Sequence, residues 1–235
     1  MEKMVLEFQQ VTGKSKKFHL EDISFSLPAG YICGLMGSNG AGKTTLLRYI
    51  MEDSLLYSGT IRIDGVDIRD NHGYIKNKIG YVSDENPFLR DRTAMQNVDI
   101  LSRFYEDFDR ELFLEYMKRM ELSPKKTYGK MSRGECLKFQ MAFAIAHHPS
   151  IYLLDEVTAG MDPVFRLDFF KILQEVIQEG NASVLMTSHI EAETERKTDY
   201  VGIMEQGRLL QFGESIDVIP GYKENRQQKG IEVYE

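Results

Sequence analysis

An α/β fold with a partly parallel sheet is predicted by three observations. In the C-terminal half, strand-like segments at 151–154 and 183–187 bracket a segment of helical periodicity at 163–178. A strand-like run at 31–36 leads through a glycine-rich turn straight into an amphipathic helix that begins at Lys43. Between about 83 and 148 the grain turns helical, which predicts a helical subdomain inserted in the α/β body.

The elements follow in order. Over the first 70 residues, apolar or β-branched clusters at 4–11, 23–27, 31–36 and 60–63 alternate with turn signals and predict short strands with little helix. Leu46, Leu47, Ile50 and Met51 recur at helical spacing within 43–53. The segments TAMQNVDILSRFY, RELFLEYMKRM and RGECLKFQMAFAIAHH favour helix, with Asp109 and Ser132 as N-caps and a break near Pro124. Strand-like segments return at 200–204 and 208–212. From Pro220 the tail GYKENRQQKGIEVYE is polar, and reads as a loose tail or a short capping strand or helix. This predicts a single domain over 1–219, with the helical subdomain at about 84–148, followed by a tail over 220–235.

Composition narrows the function classes. With 235 residues the chain can bury a sizeable core, which excludes disorder for most of its length. The two cysteines, Cys33 and Cys136, form no CxxC or Cys/His spacing, so neither a disulfide scaffold nor a zinc site is expected. No apolar stretch reaches the roughly 18–20 residues needed to cross a bilayer, and MEKMVLEFQQ lacks the basic and apolar regions of a signal peptide. A cytoplasmic chain is expected, and any service to a membrane requires docking to another protein. The formal charge of −7 argues against bulk nucleic-acid binding.

The central string is Gly37-Ser38-Asn39-Gly40-Ala41-Gly42-Lys43-Thr44, which matches GxxxxGK[ST] between a strand and a helix. Glycines let the backbone curl so that successive N–H groups face one concave surface, and the following helix adds its positive end. Lys43 can reach the β and γ phosphates of a nucleotide, and the Thr44 hydroxyl is suited to Mg²⁺. A second segment, IYLLDE, reads as a buried strand ending in Asp155 and Glu156, at the edge where open α/β sheets bind ligands. Asp155 suits the Mg²⁺ shell, and Glu156 suits orientation or polarisation of an attacking water.

The order of motifs resembles the nucleotide-binding domain of ABC (ATP-binding cassette) transporters over about residues 4–215. NGAGKTTLL, the signature-like MSRGE at 131–135, the Walker B run ending at Asp155 and Glu156, the D-loop-like 159–162 and the switch-like Ser188-His189 occur in the family's order. The resemblance implies the α/β P-loop ATPase fold of ABC type, with an N-terminal antiparallel β subdomain and an inserted helical subdomain, and ATP with Mg²⁺ as ligands. Nucleotide contacts are implied for Ser38, Asn39, Gly40, Ala41, Gly42, Lys43, Thr44 and Thr45. Lys43, Glu156 and His189 are implied as catalytic residues. Ser132 and Gly134 are implied to close over the ATP of a second subunit in a head-to-tail dimer.

Three departures accompany the resemblance. In the signature, Arg133 replaces a glycine and Glu135 a glutamine, placing a cation and an extra negative charge near the phosphates of the second subunit. At the Q-loop, Asp84 stands where glutamine is usual; its carboxylate is expected to approach nucleotide-bound Mg²⁺ directly or through water, or the register shifts to Glu85 or Asn86. Lys14 stands at the usual adenine-stacking tyrosine, leaving Phe18 as the nearest aromatic, with Val11 or a main-chain contact as alternatives. The function implied is an ATP-hydrolysing subunit paired with a second cassette and a separate integral membrane permease, on the inner face of the membrane. The look of LEDISFSLPAGYICGLMGSNGAGKTT resembles stand-alone bacterial cassettes, export systems linked to antimicrobial peptides or envelope stress among them. Alternatives are a soluble ABC-type ATPase in cofactor or complex assembly, and a regulatory ATP-binding module with little turnover.

Overall fold

The computed structural model describes residues 2–14, 19–52, 54–85, 88–159, 161–180, 182–188 and 197–228. The N-terminal strands alternate in polarity because one of their faces is covered and the other wet. β1 (Met4–Lys14), β2 (His19–Pro28), β4 (Tyr57–Ile63) and β5 (Val66–Asp67) form an antiparallel sheet in the order β2-β1-β4-β5. Within β2, Leu20, Ile23, Phe25 and Leu27 are buried while Ser24 and Ser26 are exposed.

The second sheet has no such alternation. β3 (Ile32–Met36), β6 (Ile79–Ser83), β7 (Ile151–Asp155), β8 (Ser183–Thr187), β9 (Tyr200–Glu205) and β10 (Arg208–Glu214) take the order β10-β9-β3-β8-β7-β6. Strands β9, β3, β8, β7 and β6 run parallel, and β10 pairs antiparallel with β9 at the edge. β3 and β8 are buried along their whole length, as strands covered on both faces must be.

One covering layer is α1 (Lys43–Met51) with the antiparallel sheet, packing Leu46, Leu47 and Ile61 against Leu35, Leu153 and Leu185. The other contains α3 (Ala94–Leu101), α4 (Arg110–Arg119), α5 (Arg133–Ala146) and α6 (Pro163–Gly180). Their core joins Phe113, Phe139 and Phe169 to Val82, Leu154 and Val184 of the sheet. Phe139 centres an aromatic group, with ring centroids 4.7 Å from Phe88, 5.3 Å from Tyr128 and 5.8 Å from Phe113. Among the described residues no helix is long and apolar enough to cross a membrane.

Some elements differ from the sequence expectation. The short helix α2 (His72–Asn77), capped by Asn71, and the strand β6 were not expected as elements. The boundary expected at 219/220 falls inside α7 (Ser215–Gln228); of the alternatives for the tail, a loose tail or a short capping strand or helix, the described part takes the helix, as far as Gln228. The anchor is small: Ile219, with Val218 and Tyr222 beside it, packs on Met36, Val201 and Ile203.

The C-terminus of α5 is tied to the start of β6 by His147. Its Nδ1 lies 3.1 Å from the Phe143 carbonyl and its Nε2 3.0 Å from the Ile79 carbonyl, with the Tyr105 ring 4.2 Å away. Burial pushes this imidazole below its ordinary 6.5, against the opposing pull of the two carbonyls; neighbouring His148 adds to the lowering.

Two outcomes follow for stability. Phe139→Ala should cost about 3–5 kcal/mol in denaturant unfolding, because a fully buried ring leaves a cavity that its neighbours only partly fill. A histidine whose folded pKa is depressed binds its proton more readily when unfolded, so its contribution is present above 6.5 and is lost as pH falls through that value. The thermal midpoint should therefore drop between about pH 7 and about pH 5, and His147→Gln should reduce that drop.

Candidate functional site

Parallel strands bring their carboxyl ends to one edge, and the register makes those ends level. Leu35 pairs with Thr187, Thr187 with Asp155 and Asp155 with Ser83, so β3, β8, β7 and β6 present one transverse row. The segments leaving this row carry most of the residues singled out in the sequence.

Beyond β3 the chain turns through Gly37–Gly42 into α1. Gly37 takes φ +149° and Gly42 φ +111°, conformations that L side chains rarely adopt. Ser38, Asn39 and Gly40 are open to solvent, whereas Ala41, Gly42 and Lys43 are buried and Thr44 and Thr45 half-buried. The Ala41 N–H donates to the Ser38 carbonyl at 3.0 Å, and the Ala41 carbonyl accepts from the Gly207 N–H at 2.9 Å. Gly42 caps α1 without any side-chain hydrogen bond, and the first turn holds no acidic residue. That leaves the first N–H groups and the positive end of the helix for an anion. The Lys43 ammonium lies over the loop, donating to the carbonyls of Gly37 at 2.7 Å and Ser38 at 3.1 Å. Burial pushes its pKa down, while the carboxylates of Glu156 and Asp155 pull it back up.

Facing the loop, Asp155 Oδ1 accepts from the Thr44 hydroxyl at 3.0 Å and from the Thr187 hydroxyl at 2.7 Å. Burial raises the Asp155 pKa; the two hydroxyls oppose this, and the charges of Glu156 and Glu85 add to it. Glu156 follows with φ +51°, and its N–H donates to the Thr187 hydroxyl oxygen at 2.9 Å. Thr187 thus positions both carboxylate residues, a role the sequence reading did not assign; a polar residue at the C-terminal end of the run SVLMT was its signal.

A third group lies at the start of α5. Ser132 is its N-cap, accepting from the Glu135 N–H at 3.3 Å, while Glu135 Oε2 accepts from the Ser132 N–H at 2.8 Å. Both Glu135 oxygens also lie 2.7 Å from Lys126 Nζ. The negative charge expected to be added near a second subunit's phosphates is therefore used in a cap and paired with a lysine. A Cβ built on Gly134 would meet nothing within 4 Å, so this turn is open.

Asp84 has a side-chain partner that the sequence reading did not name. Its Oδ1 accepts from Arg133 Nε at 2.6 Å and its Oδ2 from Arg133 Nη2 at 2.7 Å, while Arg133 Nη1 donates to the Ala159 carbonyl. This carboxylate is held in a two-pronged ion pair, the strongest geometry a guanidinium offers. Glu85 pairs with Arg48 at 2.7 Å. Behind this loop Gln140, also missed in the sequence, accepts from the Ser83 N–H at 3.0 Å and donates to the Ser83 carbonyl at 3.0 Å. Phe18, Asn86 and His189 lie outside the described residues, as does Gly160. Of Lys14 only the backbone, at the end of β1, is described.

The donor set fits Mg²⁺ and a nucleoside triphosphate. An uncapped helix start and a concave loop suit the phosphates, and the adjoining Thr44 hydroxyl and Asp155 carboxylate suit a small hard cation. A divalent cation also offsets the cost of burying Asp155 as a charged group. The loop leaves no room for a side chain at its first position: a Cβ on Gly37 would lie 2.3 Å from the Met204 carbonyl oxygen. Gly37→Ala should lower the thermal midpoint and weaken ATP binding by at least about tenfold in calorimetric titration, because the cradle must open to admit the methyl group.

Comparison with known proteins agrees with this geometry. A family profile described as ABC transporter matches residues 20–159. The chain is 38% identical over 190 residues to the ABC transporter ATP-binding protein YtrB of Bacillus subtilis (strain 168), covering 81% of this chain and 65% of that protein. It is 28% identical over 214 residues to the bacitracin transport ATP-binding protein BcrA of Enterococcus faecalis, covering 90% of this chain and 68% of that one. The chain thus spans about two thirds of the length of these curated relatives. A solved structure described as the ATP binding subunit of an ABC transporter shares the fold, with a TM-score of 0.82 at 23% identity over 98% of this chain and 95% of that one. Because the profile covers more than half of the chain and its span holds both the phosphate loop and the paired carboxylates, the chain belongs to the ABC transporter family as an ATP-binding domain.

Proposed function

We propose that this chain hydrolyses ATP and couples the cycle to movement of a substrate through a separate membrane permease. The observation that carries this reading is the contact between the Thr44 hydroxyl and Asp155, with Lys43 and Glu156 in electrostatic contact beside it. Phosphate binding, cation binding and a candidate base then converge at one strand edge.

In this reading the loop N–H groups and Lys43 hold the β and γ phosphates, with Ser38 to Thr45 lining the nucleotide. Thr44 and Asp155 hold Mg²⁺, which would neutralise charge on the phosphate oxygens. Glu156 orients the attacking water and accepts its proton, with His189 as a second polar group at the γ-phosphate. Phe18 remains the proposed aromatic for the adenine. Ser132 and Gly134 offer a hydroxyl and a helix start to the nucleotide of a second cassette, either another copy or a related subunit. The functional unit is the domain over 1–219 with its helical insert at about 84–148. α7 crosses the end of that unit and packs on its sheet through Ile219 and Tyr222.

Location follows from partnership: we place the chain in the cytoplasm, at the inner face of the membrane through its permease. The name of the Enterococcus relative, bacitracin transport, supports a transport system that handles an antimicrobial compound.

Phosphate release by the purified chain, alone and with its permease, tests the reading. Glu156→Gln should lower the rate by about 10²–10⁴-fold while retaining ATP binding, and Lys43→Ala should weaken binding itself. Rates equal to that of Glu156→Gln in both settings would defeat the ATPase assignment. Co-purification with soluble assembly proteins in place of an integral membrane protein would defeat the transport assignment.

A further inference from the structure

Two departures from the family resemblance meet in one contact. Asp84 stands in the loop after β6, where glutamine is usual, and Arg133 stands at the first residue of α5, where glycine is usual. Each replacement alone adds an unpaired charge at the edge of the site. Together they form the two-pronged ion pair, and the guanidinium still has a donor left for the Ala159 carbonyl. Three segments far apart in the chain are tied by one side chain: the end of β6, the start of α5 and the turn after β7.

The surroundings give the tie a direction. Gln140 of α5 already clamps Ser83 from behind through both backbone groups, so the β6 end is held on two sides by the same helix. Asp155 and Glu156 immediately precede the turn that carries Ala159, and the Ala159 N–H donates to the Glu156 carbonyl at 3.3 Å. A shift at the start of α5 therefore reaches Glu156 through one guanidinium and one short turn. The pair is about half-exposed, with side-chain exposures of 42% for Arg133 and 54% for Asp84, so it is open to screening by salt and can be broken without unfolding the core.

We infer that Asp84 and Arg133 act as one positioning unit, which holds the open turn at Ser132 and Gly134 in register with Asp155 and Glu156 of the same chain. This rests on the proposed ATPase reading, and it assigns Arg133 to coordination within the chain instead of to contact with a second subunit's phosphates. Asp84 acts through Arg133 and not on the metal. The same unit links the two surfaces that such a reading requires: the one that holds this chain's nucleotide and the one offered to a second cassette's.

Hydrogen exchange on the full chain without nucleotide, followed at the amides of Glu85, Glu135 and Ala159, tests the unit directly. Arg133→Gly should speed exchange at Glu85 and Ala159 by about 5-fold, and Asp84→Asn should do so at Glu135 and Ala159. The double variant should show no more than the larger single effect. The exchanged pair, Asp84→Arg with Arg133→Asp, should restore Glu85 and Glu135 but not Ala159, since a carboxylate has no donor for that carbonyl. Phosphate release should fall by about 5-fold in each single variant, with no further loss in the double, and the loss should shrink at high salt. Effects confined to the substituted turn, single effects that multiply in the double, or no recovery in the exchanged pair would each overturn the inference. Wild-type release no faster than Glu156→Gln would overturn the ATPase reading instead, and the nucleotide-free exchange would still decide whether the unit exists.

Discussion

The site depends on the register of the parallel sheet. Leu35, Thr187, Asp155 and Ser83 are level because each is paired with the next through backbone hydrogen bonds. A one-residue slip of β7 would turn Asp155 to the opposite face of the sheet and break its contacts with Thr44 and Thr187 together. Apolar burial on both faces guards against this, since every residue of β3 and β8 has a core to occupy. The geometry of the site is thereby inherited from hydrophobic packing some distance away.

The helix starts around this edge are finished in different ways. Thr93 and Ser132 close α3 and α5 with complete capping boxes, satisfying local N–H donors within the chain. Gly42 opens α1 with no side-chain cap and no acidic residue in the first turn. Capping is thus withheld at the helix that meets the phosphate loop, where a side-chain oxygen would compete with an incoming anion. At α5 the cap also fixes Glu135 toward Lys126, which keeps that carboxylate from repelling an anion at the same turn.

The parts of the site that were legible in the sequence are those whose chemistry is contiguous. The phosphate loop and the carboxylates after IYLLDE each sit in a run of neighbours that sets its backbone shape. What escaped was carried by pairs distant in the chain. Thr187 and Gln140 read as ordinary polar residues until sheet register and helix packing bring them to Asp155 and Ser83. Asp84 was read from its position in the loop after Ser83 and its carboxylate, toward a cation; the guanidinium that pairs with it lies 49 residues on in the chain. The fold shows the same division. Long periodic segments were legible, whereas β6 is a five-residue strand at the border of a helical region, and α7 is held by too few apolar residues to outweigh a polar composition.

Glu156 occupies a left-handed backbone position without being glycine, and Thr187 supports it there through its N–H. A bulky L residue in that conformation costs on the order of 1 kcal/mol relative to glycine or asparagine. Stability and chemistry therefore pull this position in opposite directions. In a lineage relieved of the need for turnover, drift should reach residue 156 early, since glycine there would both relax the chain and remove the carboxylate.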